Sequence, residues 1–234
     1  MIKAAMFGIG DPLYTPVSPN IKGFSKESEE IGKRVNKYDP ERAKKLLEEA
    51  GWKDTDGDGI REKDGQKLEL EFLAFTIAGF KQTAEVTIPM LESVGFKPKL
   101  LVLEAGDLYQ RVLAKNFDLL STSMVASQAV ALNDLVLGYH SKSLGSIRQW
   151  SHFNKPEMDR LLDTAQYSLD PKERAKALLE AQKKSVEEVP VIPIANQMGF
   201  FGYKKNLGGV SNYFKHPLAY SQLDGCRALE IYKP

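Results

Sequence analysis

KLELEFLAFTIAGFKQTAEVTIPMLESVGFKPKLLVLEAGDLYQRVLAKNFDLLSTSMV, residues 67–125, decides how this chain folds. Lys67–Phe75 alternates around Leu68, Leu70, Phe72 and Phe75, the period of a strand. From Phe80 to Val94 the spacing becomes helical, with Val86, Met90, Leu91 and Val94 on one side and Gly95 as the stop. Pro89 inside that run lacks the N–H that a helix interior uses, so a kink or a break is expected there. Lys97–Leu103 reads as a second strand, Gly106–Lys115 as a short helix carrying Leu108, Val112 and Leu113, and Phe117–Val125 as a third strand. Strand, helix, strand, helix, strand with short turns predicts parallel βαβ units, and so an α/β fold with a largely parallel central sheet flanked by helices.

Working outward, Asp39 and Pro40 supply a cap and a first helical residue. Ala43, Leu46, Leu47 and Ala50 then recur on one face, and Gly51 closes the helix. Downstream, Pro156–Tyr167 carries Met158, Leu161, Leu162 and Ala165 at helical spacing. Asp170-Pro171 repeats the cap and opens another helix with Ala175, Leu178, Leu179 and Val186. Residues 8–38 are rich in Gly, Pro and Ser and are expected to form an irregular strap across one edge; residues 126–154 read as polar, aromatic and irregular. Val189–Tyr203 is apolar, with Pro190 and Pro193 marking an edge or bent strand, and Ala228–Tyr232 is a last short strand candidate.

The chain has 234 residues, 42% hydrophobic and 27% charged, ordinary for a globular domain. Thirty-two basic against 31 acidic residues leave a net charge of +1, no field for collecting nucleic acid, so no nucleic-acid partner is expected. Cys226 is alone and forms no intrachain disulfide. No apolar run approaches the length of a membrane span, and the first residues lack a full signal-peptide core, so the start is expected to lie inside a domain.

Catalytic patterns are sparse. There is no P-loop and no Gly-x-Ser-x-Gly elbow; Gly8-Ile9-Gly10 lacks the third glycine of a dinucleotide site. His140, His152 and His216 stand apart and make no zinc pattern. An α/β enzyme with dispersed catalytic residues remains an alternative reading. In the acidic turn, Asp54, Asp56, Asp58 and Glu62 match oxygen-ligand positions of a calcium loop, but the closing glutamate position is Gly65, and Asp64 falls one residue early. The preferred reading is a solvated Asp/Gly turn; the other is a weak structural calcium site, and with it a calcium-stiffened adhesion module.

In open α/β sheets ligands gather beyond the carboxyl ends of parallel strands. That places the candidate site after the third strand: Ser123, Met124, Ser127, Gln128, Asn133, Asp134, Tyr139, His140 and Trp150. Hydroxyl, amide and aromatic groups together suit a neutral polar ligand.

The helix and turn over 38–65 carry a resemblance, together with the strand near Lys67 and Leu91-Glu92-Ser93-Val94-Gly95-Phe96-Lys97-Pro98, which is similar to the family pattern L-x-x-I-G-I-x-V. Phe117-Asp118-Leu119 and Val189-Pro190-Val191-Ile192-Pro193 follow in the same order. The sequence resembles the C-terminal lobe of an extracellular (periplasmic) solute-binding protein of family 5, the oligopeptide, dipeptide and nickel binding proteins of ABC importers. The resemblance implies a single lobe over 1–234: a strap to 38, an α/β core over 39–203 and a return segment over 204–234, with the N-terminal lobe absent. It implies capture of an oligosaccharide or oligopeptide between two lobes, delivery to an ABC permease, a periplasmic or extracellular location associated with the membrane through that permease, and no cofactor. Peptide-binding members commonly carry a Trp followed by an Asp-Tyr-x-Asp-Pro run; here those positions fall near Met124, Ser127 and Val130. Without that carboxylate an ammonium group would lack its partner, so an oligosaccharide, or a peptide held by its backbone, is expected.

Overall fold

This computed structural model describes residues 1–6, 8–77, 79–123, 130–146 and 149–196. The helices are α1 Ile2–Ala5, α2 Lys26–Val35, α3 Pro40–Glu49, α4 Phe80–Glu92, α5 Ala105–Leu113, α6 Ala131–Tyr139, α7 Pro156–Tyr167 and α8 Pro171–Glu187. The strands are β1 Asp11–Pro12, β2 Glu62–Lys63, β3 Gln66–Lys67, β4 Glu69–Phe75, β5 Lys97–Leu103, β6 Leu119–Ser121 and β7 Ala195–Asn196.

The central sheet has the order β5-β4-β6, all parallel. Its register runs from Glu69 opposite Lys97 to Phe75 opposite Leu103 on one side, and from Phe72 opposite Leu119 to Ala74 opposite Ser121 on the other. The first crossover runs from central β4 out to β5 and the second from β5 back past β4 to β6; two right-handed crossovers travelling in opposite directions must place their helices on opposite faces. The side chains of β4 agree. Leu73 and Phe75 pack with Leu108 and Val112 of α5, whereas Phe72 and Ala74 pack with Ala84, Ile88 and Leu91 of α4. Strand geometry alternates these residues between the two faces, so β4 is buried on both. Leu73 has no exposed surface, and its burial is worth about 2 kcal/mol.

A second layer is helical. Leu135 and Tyr139 of α6, Met158 and Leu162 of α7 and Ala181 of α8 form its core, with Val17 and Ile21 from the strap inserted among them. Gln182, buried on α8, ties the strap down: its Oε1 accepts from Ser25 N at 3.0 Å and its Nε2 donates to Gly23 O at 2.9 Å. Residues 149–153 join the layers. Gln149 Nε2 donates to His140 O (3.1 Å) and Phe153 O (2.7 Å), and His152 Nε2 meets Val112 O on α5 at 2.9 Å.

The strap and the 126–154 region are more regular than their sequences suggest. Within 8–38, α2 is capped by Ser25, whose Oγ accepts from Ser28 N at 3.1 Å. Its buried positions are Ser28 and Gly32, small rather than apolar, so hydrophobic periodicity misses it. Within 126–154, α6 runs over nine residues with no side-chain cap; it is apolar on nearly every side, so no stripe marks it as a helix.

Helix α4 passes through Pro89 without a break, and Thr83 and Thr87 hydroxyls bond to backbone carbonyls one turn earlier. The third strand is shorter than expected, Leu119–Ser121, and of Val189–Tyr203 the described part pairs only at Ala195–Asn196, with β1. Residues 197–203 and Ala228–Tyr232 lie outside the described residues. No helix among the described residues is long and apolar enough to cross a membrane.

Candidate functional site

The carboxyl ends of β4, β5 and β6 lie together because the strands are parallel and in register. From β4 the chain leaves through Thr76 and Ile77, and from β6 through Thr122 and Ser123. Ile77 is 59% exposed at the mouth of the sheet. The hydroxyls of Thr76, Thr122 and Ser123 make no hydrogen bond among the described residues.

Behind this rim stands an aromatic group. Phe75, the last residue of β4, is buried and meets Tyr109 of α5 edge-on, with centroids 5.8 Å apart and planes at 74°. Trp150 also meets Phe75 edge-on, at 6.3 Å and 89°, and lies nearly parallel to Tyr109 at 5.7 Å and 25°. Phe80, the first residue of α4, closes the group at 5.6 Å from Phe75. Tyr109 and Trp150 are half-buried, so the rings rest on the core and keep part of their surface open.

The sequence-derived candidates divide. Ser123 stands at the strand tips and Trp150 in the aromatic group. Met124, Ser127 and Gln128 lie outside the described residues. Asn133 and Asp134 occupy the first turn of α6, just after the Val130 bridge to Lys22, and Asp134 is buried. Tyr139 belongs to the helical core: it is wholly buried, packs edge-on against Phe153 at 5.7 Å, and burial pushes its phenol well above the ordinary value. Its position at the end of α6 turns it inward, away from solvent and from the role of ligand contact.

His140 is buried too. Its Nε2 lies 3.2 Å from Asp163 Oδ1, and its Nδ1 accepts from Lys142 N at 3.0 Å. Asp159 Oδ1 is 3.3 Å from Nδ1 and accepts from Ser141 N at 2.9 Å. Lys142, donating to Asp163 at 2.9 Å, is the main reason that carboxyl sits below its usual range, with His140 adding to it. This imidazole fastens α6 to α7.

Tyr109, Phe75, Phe80 and the rim residues Thr76, Ile77 and Thr122 were absent from the sequence-derived set. Thr76 and Ile77 follow the first expected strand, which was a signal for them, whereas Thr122 fell inside the third expected strand, Phe117–Val125, and became rim only because that strand ends at Ser121. Tyr109 carried none, since its contact with Trp150 joins residues 41 apart.

The acidic turn lies at the other end of the sheet. Asp54, Asp56 and Asp58 are exposed and bring carboxylate oxygens within 4.8 Å of one another. Those oxygens are engaged. Asp54 accepts from Gly57 N (2.8 Å) and Gly59 N (2.9 Å), Asp56 from Asp58 N (3.2 Å) and Asp58 from Ile60 N (2.9 Å). The second oxygens of Asp56 and Asp58 both accept from Lys67 Nζ, which raises the Lys67 pKa well above its ordinary value. Glu62 turns to Thr55, whose N–H donates at 2.8 Å, and Asp64 sits in the β2–β3 hairpin turn at φ 51° beside Gly65 at 76°. An ammonium group thus stands where a calcium ion would need open oxygens, and Glu62 and Asp64 are not ligands of one cluster. The set does not fit calcium as built.

Beside this turn is a depression of about 460 Å³ lined by Lys44, Glu48, Asp54, Arg61, Glu92 and Gly95, among others. Arg61 fills its wall, bonding Glu48 (3.1 Å), Trp52 O (2.9 Å) and Val94 O (3.0 Å). A Cβ at Gly95 would fall 2.5 Å from Arg61 Cγ, so glycine is required for this side chain to pass. Arg61 and Glu48 pair within the wall, and the depression lies at the amino ends of the strands, opposite the carboxyl-end rim.

Residues 1–146 match the family model of bacterial extracellular solute-binding proteins, family 5 middle region. The oligopeptide-binding protein AppA of Bacillus subtilis is 26% identical over 220 residues, 93% of this chain and 39% of AppA. The nickel-binding periplasmic protein of Escherichia coli is 34% identical over 116 residues, 47% of this chain and 20% of that protein. In structure, Bacillus subtilis AppA bound to a nonapeptide aligns over 100% of this chain and 44% of its own, with a TM-score of 0.71 at 23% identity. A mannohexaose-bound oligopeptide-binding protein of Thermotoga maritima gives 0.75 at 19% identity, over 89% of this chain and 40% of its own. The chain therefore spans about two-fifths of the length of such relatives. With the model match covering more than half of its residues and the parallel sheet in place, this chain belongs to the bacterial extracellular solute-binding proteins of family 5.

Proposed function

We propose that this chain forms one lobe of the substrate-binding component of an ABC importer. It acts in the periplasm or at the outer face of the membrane, and captures an oligosaccharide or oligopeptide against a second lobe before delivery to the permease. The observation that carries this reading is the rim at the carboxyl ends of the parallel strands. The rim carries exposed Ile77 and neutral hydroxyls at Thr76, Thr122 and Ser123, with half-buried Tyr109 and Trp150 behind it. Such a mixture suits a neutral polar solute, and one open wall suits a site that a partner surface completes.

Relatives whose names describe oligopeptide and nickel binding, and a neighbour described as bound to mannohexaose, favour transport over chemistry for this chain. The binding set proposed here is Ser123, Trp150 and the opening turn of α6 with Asn133 and Asp134, together with Met124, Ser127 and Gln128. No resident metal or cofactor enters this reading.

Isothermal titration of the full-length protein with di- to pentapeptides and with hexasaccharides tests it. Micromolar or tighter binding of one class is expected, with binding by the isolated chain at least a hundredfold weaker, because half of the enclosing surface is gone. Equal affinity for the isolated chain and the full-length protein, or no binding of any class, overturns it.

A further inference from the structure

We propose that the corner between α7 and α8 is a membrane-docking knob, which seats Leu169 in the surface of an anionic lipid bilayer. This inference is independent of the solute and of the importer reading. Leu169 is 96% exposed, the highest value of any large apolar side chain among the described residues, and Tyr167, two residues before it, is 64% exposed. An apolar residue just before a helix cap often packs back onto the fourth helical residue. Here that residue is Arg174, whose guanidinium donates instead to Ser168 O at 2.8 Å and Leu169 O at 3.4 Å. The leucine therefore stands in water on a turn that is otherwise fastened.

Ser168 Oγ donates to Glu173 Oε2 at 2.7 Å and accepts from Asp170 N at 3.2 Å, and Asp170 Oδ1 accepts from Lys172 N at 2.8 Å. Two carbonyls, a hydroxyl and the cap carboxylate are thus engaged from within, which lowers the cost of taking the turn into a headgroup layer. A turn ordered beforehand also loses little freedom on docking. The surrounding charges choose the lipid. Lys172 and Lys176, about one turn apart on α8, are exposed and have no ion-pair partner among the described residues. Lys142 Nζ lies 5.7 Å from the Tyr167 ring centroid. Asp170 and Glu173 are exposed and work against an anionic surface, but each already holds a donor of the corner, and Asp163 holds Lys142. The uncompensated charge is that of the two lysines. A projecting leucine suits the acyl boundary, a tyrosine the headgroup level, and long lysines the phosphates. A pocket on a partner protein would also accept a leucine; the flanking tyrosine and lysines favour lipid, and the family is extracellular, so the outer face of a membrane is the surface it meets.

The test is sedimentation of the full-length protein with sucrose-loaded vesicles of phosphatidylglycerol or of phosphatidylcholine, at low and at high salt. It compares wild type with Leu169→Ser, with the double variant Lys172→Gln/Lys176→Gln, and with Ile192→Ser, which alters a side chain 65% exposed beyond the far end of α8. The altered side chains are all exposed, so every variant should fold, which thermal melting checks. Wild type should bind phosphatidylglycerol about tenfold or more tightly than phosphatidylcholine, and salt should weaken that binding. Leu169→Ser and the lysine double variant should each bind phosphatidylglycerol about tenfold more weakly, and Ile192→Ser within about twofold of wild type. No vesicle binding by wild type, equal binding of the two lipids, or undiminished binding by Leu169→Ser overturns the knob. Cross-linking to a membrane protein that Leu169→Ser abolishes, without any vesicle binding, assigns the corner to a protein partner and overturns the lipid.

Discussion

Two helical glycines offer a matched test of how tightly their helices pack. Gly32 lies in α2 and Gly106 in α5, and neither has a positive φ. On propensity alone, alanine should stabilise each by up to about 1 kcal/mol, less near a helix end such as Gly106. Their surroundings differ. Around Gly106 an added Cβ meets nothing within 4 Å, so Gly106→Ala should gain about 0.5 kcal/mol. At Gly32 the added Cβ would stand 2.0 Å from Tyr14 O and 2.8 Å from Tyr14 C.

That carbonyl is backbone, and it also accepts from Asn36 Nδ2 at 3.2 Å, so it cannot swing aside without losing a bond. Forced separation of α2 from the strap costs about 1–3 kcal/mol for overpacking, and the lost bond adds about 1 kcal/mol. Gly32→Ala should therefore lose roughly 1–3 kcal/mol net after the propensity gain. For a domain of this size 1 kcal/mol moves the melting temperature by about 2–4 °C. Calorimetry should thus find Gly106→Ala slightly above wild type and Gly32→Ala lower by about 3–10 °C. A Gly32→Ala variant as stable as Gly106→Ala would refute the docking of α2 on Tyr14.

Other perturbations reach different parts of the molecule. Tyr139 is wholly buried and its hydroxyl has no partner among the described residues, so Tyr139→Phe should be neutral or stabilise by about 1 kcal/mol in denaturant titration; a loss above that would mean the hydroxyl has a partner. The Glu157 carboxyl, 2.6 Å from Lys184 Nζ, is held below its ordinary range chiefly by that hydrogen bond. A carboxyl depressed in the folded state stabilises above its unfolded value, and the contribution disappears as pH falls through the lower folded value. Melting of wild type and Glu157→Gln should accordingly differ near neutrality and converge in acid; a gap that widens in acid would reverse the assignment.

The acidic turn supplies the last prediction. Calcium at 1 mM should leave the melting temperature within about 1 °C, whereas a site of 10 μM affinity would add about 2.7 kcal/mol at a hundredfold excess. A rise of several degrees in wild type would show that Lys67 yields its place.

Local chemistry made much of the α/β core legible in the sequence. Asp39-Pro40 and Asp170-Pro171 opened helices at the expected residues, with Asp39 Oδ1 accepting from Arg42 N at 3.0 Å and Asp170 Oδ1 from Lys172 N at 2.8 Å. The alternation in Lys67–Phe75 and the helical spacing after it were enough to order a parallel sheet. Each of those signals depends on residues within a turn or two of one another, so sequence carries it directly.

Other features depend on neighbours far along the chain. Helix α2 is held by Gly32 against Tyr14 and by Gln182 beside its cap, 157 residues from Ser25. Tyr139 and Trp150, both aromatic and both in a stretch that read as irregular, were equal candidates in sequence. Packing separated them, sending Tyr139 into the helical core beside Phe153 and Trp150 onto Tyr109 at the strand tips. Likewise, three aspartates in a calcium-like spacing could not reveal that Lys67 would fold back between them. By itself the sequence determined the strands and helices of the βαβ core and their parallel order, together with α3, α7 and α8, because caps and periodicity act over short range. Tertiary structure alone decided which polar and aromatic groups face solvent, because burial is a property of what the rest of the chain places on top of them.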